Sequence, residues 1–380
     1  MADPLRQSGS VGGGVSQRPN PWASLPSEKP FLSSERMSTE APGKAILIGE
    51  HSVVYGHRAI AVALPNLVLR VSIAPQDLVA EGATSWNESW HMVCDHQVRP
   101  LAPETREMLS RCLDVALRDS GAAEGLAAFS PQPLRIESNF PAGAGLGGSA
   151  ALCVATLRLA HQLMGQGPLD FAQGLRRASR LDQIFHGTAS GIDTATSFCG
   201  GLISAQGKVE QRSFAPLVNK QRFFVALVDT GTRASTALMV QRLAERRREQ
   251  PVFVGDKLKR LGELAENTAE ELASGQLLAV GQRLNEAHDH LSDLGLSHPE
   301  VDAAVVALRE LGALGAKMTG SGGGGFALGL FRDYPQWVES FLPSKGAVYV
   351  SEVPEVSPAA CERRAAVLRG ENVESQRPPH

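Results

Sequence analysis

The chain has 380 residues, 43% of them hydrophobic, enough to bury a full core divided between two lobes. Lys and Arg number 37 against 40 Asp and Glu, a formal net charge of -3, so there is no basic footprint of the kind nucleic acid or an anionic membrane surface selects, and small molecules are the expected partners. Five cysteines with no C-x-x-C spacing argue against a disulfide framework and a zinc knuckle, no apolar run approaches the roughly 18 residues of a membrane span, and residues 1–40 lack the pattern of a signal peptide, so a cytoplasmic protein is expected.

Residues 1–36 are rich in Gly, Ser and Pro and show neither helical nor strand periodicity; they are expected to be a disordered extension, with Met37 as an alternative start. Apolar runs at 45–48, 60–64 and 67–73 predict strands, the last two separated by Pro65-Asn66. A strand at 134–136 leads through the glycine-rich segment 141–150 into helices over 148–165 and 169–187, and residues 198–205 read as a return to strand. The first domain is placed at 37–220 and a second at 221–353. The second opens on a strand at 223–229, followed by helices at 237–248, near 256–274, 276–293 and 299–312, and by strands at 326–331 and 347–350. Residues 354–380 are expected to form a loose tail, with 361–368 as one helical stretch. The order of elements is α+β rather than a regular βαβ succession.

Three segments carry the chemistry: 41–51 (APGKAILIGEH), 141–150 (PAGAGLGGSA) and 317–325 (KMTGSGGGG). The middle one is an anion site in outline, because glycines let backbone N–H groups converge and the following helix adds the partial positive charge of its N-terminus. Gly143, Gly145 and Gly148 match the dinucleotide fingerprint G-x-G-x-x-G. That fingerprint requires an acidic strand end about 20 residues on, and here a loop, Gly165 to Asp170, occupies that place. A Walker A loop fails as well, since Gly147-Gly148 is followed by Ser149-Ala150 and not by Lys-Ser or Lys-Thr. Asp182 and His186, four apart, have the spacing of a transition-metal pair, but no second ligand-rich helix accompanies them.

Together the three segments resemble the motifs of the GHMP kinases, in order and over roughly residues 38–350. Gly148 stands where the family's phosphate loop has its first serine, and Ala189 stands where proline is usual in the H-G-x-P-S-G-[IV]-D segment at 186–193. The resemblance implies a two-domain α+β fold, with a phosphate loop in the N-terminal domain, a ferredoxin-like C-terminal domain and the active site between them. It implies ATP and Mg2+ as cofactors. Asp193 is implied as catalytic base and substrate contact, and Lys44 as its partner, able to contact phosphate; Glu50 and His51 are implied on the substrate side. Ser138, Gly143, Ala144, Gly145, Leu146, Gly147, Gly148 and Ser149 are implied around the nucleotide, with Asn66 as a further candidate neighbour. Ser149 and Asp182 are implied as magnesium ligands, Asp182 replacing the family's usual glutamate. The form G-E-H-x-V-V-Y-G at 49–56 is the one shown by family members that act on mevalonate; sugar kinases of the family carry an Asp where this chain has Val53. The expectation is phosphorylation of the mevalonate 5-hydroxyl, with another small-alcohol kinase of the family, or a noncatalytic nucleotide sensor, as alternatives. A homodimer is compatible with this reading.

Overall fold

The structure, a computed structural model, describes residues 37–73, 90–94, 97–129, 133–141, 143–167, 169, 171–186, 191–339 and 347–368. The extension expected at 1–36, the end of the tail at 369–380 and residues 187–190 of the H-G-x-P-S-G-like segment lie outside them.

Strands β1 (Ser38–Ile48) and β2 (Ala59–Ile73) form the antiparallel backbone of the first lobe, joined through a 3-10 turn at Ser52–Tyr55. The two strands expected on either side of Pro65-Asn66 are one. Pro42 pairs with Val68 and the next residue, Gly43, with Leu64, so residues 65–67 bulge out of the ladder. A bulge is where a sheet tolerates a proline, because no N–H is required there. The chain continues through β3 (Trp90–Cys94), β4 (Gln97–Pro100), helix α1 (Pro103–Asp119), β5 (Leu134–Ser138), α2 (Gly148–Leu163), α3 (Phe171–His186), α4 (Ile192–Cys199), β6 (Leu202–Gln206) and β7 (Ser213–Pro216). The sheet runs β4-β3-β5-β2-β6-β7 with β1 also on β2; β3 and β5 are parallel. Ala150 to Leu157 of α2 are all buried, as expected of a helix apolar on every side, and it packs against β1, β2, α1, α3 and α4.

The expected strand at 198–205 begins too early. Phe198 belongs to α4, which ends where Gly200, at φ 67, donates its N–H to the Thr196 carbonyl, and β6 starts only at Leu202. Glycine at a positive φ is the common way for a helix to stop, and here it marks a boundary rather than a strand.

The second lobe contains β8 (Phe223–Asp229), α5 (Thr236–Glu249), α6 (Pro251–Ser274), α7 (Leu277–Asp293), α8 (Pro299–Glu310), β9 (Gly315–Thr319), β10 (Phe326–Phe331), β11 (Val348–Val353) and α9 (Pro358–Leu368). Its four strands are antiparallel in the order β11-β8-β10-β9, with α7 and α8 packed against β9. The lobes meet where β11 lies against β2 and α6 against the 52–55 turn. At that seam Gly262 of α6 is so close to His57 that a Cβ on the glycine would sit 2.7 Å from the histidine Cβ.

The expected loose tail is held in place as far as Leu368. Asn219 and Val356 exchange backbone hydrogen bonds of 3.1 and 2.8 Å, and the Asn219 side chain donates to the Pro354 carbonyl. Helix α9 then packs on β7 and α3, with the Cys361 thiol 3.2 Å from the Pro216 carbonyl. The composition of 354–368 hid these partners because all of them come from the first lobe, far back along the chain.

Candidate active site

Lys44 leaves the middle of β1 with its side chain nearly enclosed, and its Nζ lies 3.1 Å from Oδ1 of Asp193. Asp193 is in the first turn of α4 and is 37% exposed, so the pair is covered on the lysine side and open on the carboxylate side. Two hydrogen bonds fix the frame around it. The Lys44 N–H donates to the Leu146 carbonyl at 2.9 Å, and the Ser197 hydroxyl of α4 donates to the Pro42 carbonyl at 2.6 Å.

The phosphate-loop candidate lies directly against this lysine. Gly147, at φ 75, precedes α2, and a Cβ on it would come 2.7 Å from Lys44 Cγ, so a side chain at this position would displace the lysine. A Cβ on Gly143 or Gly145 would meet no atom within 4 Å, leaving that side of the loop open. Ala144 and Leu146 are buried in the core, which leaves only their backbone to a ligand. Gly148 and Ser149 form the first turn of α2, where the helix presents N–H groups without intrahelical partners. Ser138, expected beside the nucleotide, uses its hydroxyl locally, donating to the Phe140 carbonyl at 2.6 Å and accepting from the Phe140 N–H. Asn66 sits on the β2 bulge and reaches the Val350 carbonyl of the second lobe at 3.5 Å.

The third segment meets the first across the lobe junction. Lys317, in the fully buried strand β9, forms an ion pair with Glu50 and also donates to the Met318 carbonyl. His51 donates from Nε2 to the Ser321 carbonyl at 2.9 Å, and the Thr319 hydroxyl donates to the Ile46 carbonyl at 2.8 Å. Burial raises the Glu50 carboxyl and lowers the Lys317 ammonium, each opposed by the other's charge, and it pulls the His51 imidazole down toward the neutral form. The expected substrate-side carboxylate of Glu50 is therefore enclosed and paired. Lys317 and Thr319 were not singled out as site residues in the sequence. The signal was available, since a lysine inside a five-residue strand of otherwise small and apolar character is buried only with a partner.

Asp182 of α3 is buried, and the Thr194 hydroxyl of α4 donates to its Oδ2 at 3.1 Å, which brings the magnesium-ligand candidate onto the helix that carries Asp193. Among the described residues no group of three or more His, Cys, Asp or Glu is placed to hold a metal, and the His186 side chain expected as an alternative partner lies outside them.

Comparison with known proteins gives the family and the fold. Residues 107–201 match the family described as GHMP kinases N terminal domain, and residues 268–347 match GHMP kinases C terminal. A mevalonate kinase of Archaeoglobus fulgidus is 34% identical over 323 residues, covering 83% of this chain and 100% of that protein. One from Pyrococcus horikoshii is 32% identical over 302 residues, 75% of this chain and 85% of that one. Among solved structures, L. major mevalonate kinase, determined in complex with R-mevalonate, has a TM-score of 0.69 at 28% identity, over 86% of this chain and 98% of that one. Methanococcus jannaschii mevalonate kinase, at 21% identity and a TM-score of 0.66, shares the fold.

Proposed function

The chain belongs to the mevalonate kinase family of the GHMP kinases, and we propose that it transfers the terminal phosphoryl group of ATP to the 5-hydroxyl of (R)-mevalonate, giving 5-phosphomevalonate for isoprenoid synthesis. The observation that carries this reading is the Lys44–Asp193 pair, closed on one side by the glycine loop and open on the carboxylate side.

Asp193 accepts the proton of the substrate hydroxyl as its oxygen attacks the terminal phosphorus, and the bond from that phosphorus to the bridging oxygen of ADP breaks. Lys44 holds the carboxylate in orientation and sets a positive charge beside the transferring group. The backbone of residues 143–149 and the N-terminus of α2 receive the phosphates. Ser149 and Asp182 would hold magnesium with a hydroxyl and a carboxylate, both hard oxygen donors that fit it. Magnesium supplies charge neutralisation of the phosphates when bound. For the acceptor, Val53 stands in the place of the sugar kinases' aspartate; it is buried against Ile46, Ala59 and Ile192, beside Asp193 in α4, so this wall offers apolar surface and no partner for ring hydroxyls. Among the described residues no helix is long and apolar enough to cross a membrane.

An ADP-release assay over mevalonate, galactose, homoserine and phosphomevalonate tests the reading. Mevalonate is expected to dominate. Galactose turnover equal to or above that of mevalonate would overturn it, as would nucleotide binding with no ADP release.

A further inference from the structure

We propose that Lys317 is a positioning residue for phosphoryl transfer, acting through Glu50 to hold the turn that sets His51 at the lobe junction; the proposal rests on the kinase reading above.

The turn itself is the first argument. The Ser52 N–H donates to the Glu50 carbonyl at 2.6 Å, two residues back, and His51 between them has φ 59 and ψ -44. This is a three-residue turn with a positive central φ, a strained conformation that a non-glycine residue keeps only when its surroundings impose it. Among the described residues His51 is the one non-glycine residue with a positive φ.

What imposes it comes from one short stretch of the other lobe. Lys317 binds the Glu50 carboxylate that precedes the turn, and the Ser321 carbonyl accepts from His51 at its centre. The Thr319 hydroxyl ties the same stretch to the Ile46 carbonyl of β1. Lys317 has no exposure and the Glu50 side chain 2%, so the pair gives up hydration on both sides. Two apolar side chains would fill this volume without that loss; a buried ion pair adds a defined separation and direction between two parts of the chain, and here those parts are the two lobes.

Charge order is the second argument. Asp193 pairs with Lys44, and the Lys44 charge also reaches Glu50. Without Lys317, the Glu50 carboxylate would have Lys44 as its remaining nearby cation and would compete with Asp193 for it. Lys317 satisfies Glu50 and leaves Lys44 to the base and the phosphates.

The test is a double-mutant cycle of Lys317→Met, which keeps the length of the side chain and removes its charge, with Glu50→Gln. Activity is measured well below each variant's melting temperature. If Lys317 acts through Glu50, Lys317→Met lowers kcat about tenfold or more and raises KM for mevalonate, while KM for ATP changes little. Glu50→Gln and the double variant then show losses of similar size, not multiplied ones. The double variant, free of an unpaired buried charge, melts above either single variant and carries the test if Lys317→Met fails to fold. Lys317→Met or the double variant with wild-type kcat and KM would reduce the pair to a structural tie and overturn the proposal. Losses that multiply would overturn it too, because Lys317 would then act independently of Glu50. A wild-type enzyme without mevalonate-dependent ADP release is a separate result: it removes the kinase reading, and the positioning role with it.

Discussion

Two lysine–carboxylate pairs stand close together at the lobe junction, alike in chemistry and opposite in access. Lys44–Asp193 lies within the first lobe and leaves its carboxylate 37% exposed; Lys317–Glu50 joins the lobes with side chains 0% and 2% exposed. Only the first can exchange a proton with a ligand. The second can fix distances but cannot reach a substrate without coming apart. Residue type alone does not separate an open carboxylate from an enclosed one; burial and the element of origin do.

The sharpest way to break this contrast is at the open pair. Asp193→Asn keeps the shape and removes the proton acceptor, so kcat should fall by about 10²–10⁴-fold while nucleotide affinity and melting temperature stay near wild type. Steady-state ADP release together with a nucleotide titration measures both, and near-normal turnover would move the base elsewhere. At the closed pair the cost should appear as stability. Glu50→Leu leaves the Lys317 ammonium buried without its counter-charge and should cost roughly 3–5 kcal/mol in denaturant melts, whereas Asp193→Asn should cost about 0–1 kcal/mol. Equal losses at the two positions would erase the distinction.

Asp182 sharpens the comparison one step further from the reacting atoms. Asp182→Ala should raise the magnesium concentration for half-maximal activity several-fold and slow transfer, and Asp182→Glu, which restores the family's residue, should be much milder. A magnesium titration in which the alanine variant matches wild type would remove Asp182 from the metal site.

The smallest effect concerns the support behind the closed pair. His288 of α7 accepts the Met318 N–H at Nδ1 and faces Asp302 through Nε2 at 3.3 Å, with the charges of Lys317, Arg309 and Asp289 also acting on it. Burial pulls its pKa from 6.5 down to about 4. Between those values the unfolded chain binds a proton that the folded protein refuses, so stability is complete above about pH 6.5 and declines as the pH falls toward 4. Urea midpoints at about pH 7.5 and about pH 5 should show this decline, and His288→Phe should flatten it. An unchanged slope in the variant would assign it to other groups.

The elements that repeat their own pattern were readable in advance: the buried run of β8, the helices of the second lobe and the strand–glycine–helix order around residues 141–150. The misreadings share a cause. At Pro65-Asn66 and at 198–201 a local breaker was taken at face value, while pairing of β2 with β1 carried the strand through the first and a glycine stop moved the second boundary. Helix α4, I-D-T-A-T-S-F-C, is short and rich in β-branched residues, so its helicity depends on packing with α2, α3 and β1 and has little local signature. Motif resemblance pointed to Lys44 and Asp193, which the structure pairs, because each lies in a recognisable segment. It did not find the partner of Glu50, because that pairing crosses from the first segment to the third and is set by tertiary burial.

The contact between Gly262 and His57 bears on how such an enzyme diversifies. Because α6 rests on the first lobe through backbone at a glycine, the helix acts as a spacer of fixed thickness, and trimming side chains at that contact cannot bring the lobes closer there. Selection for a bulkier acceptor alcohol would have to work elsewhere, at positions such as Val53. Any residue larger than glycine at position 262 would act as a wedge, changing turnover of every substrate together instead of exchanging one for another.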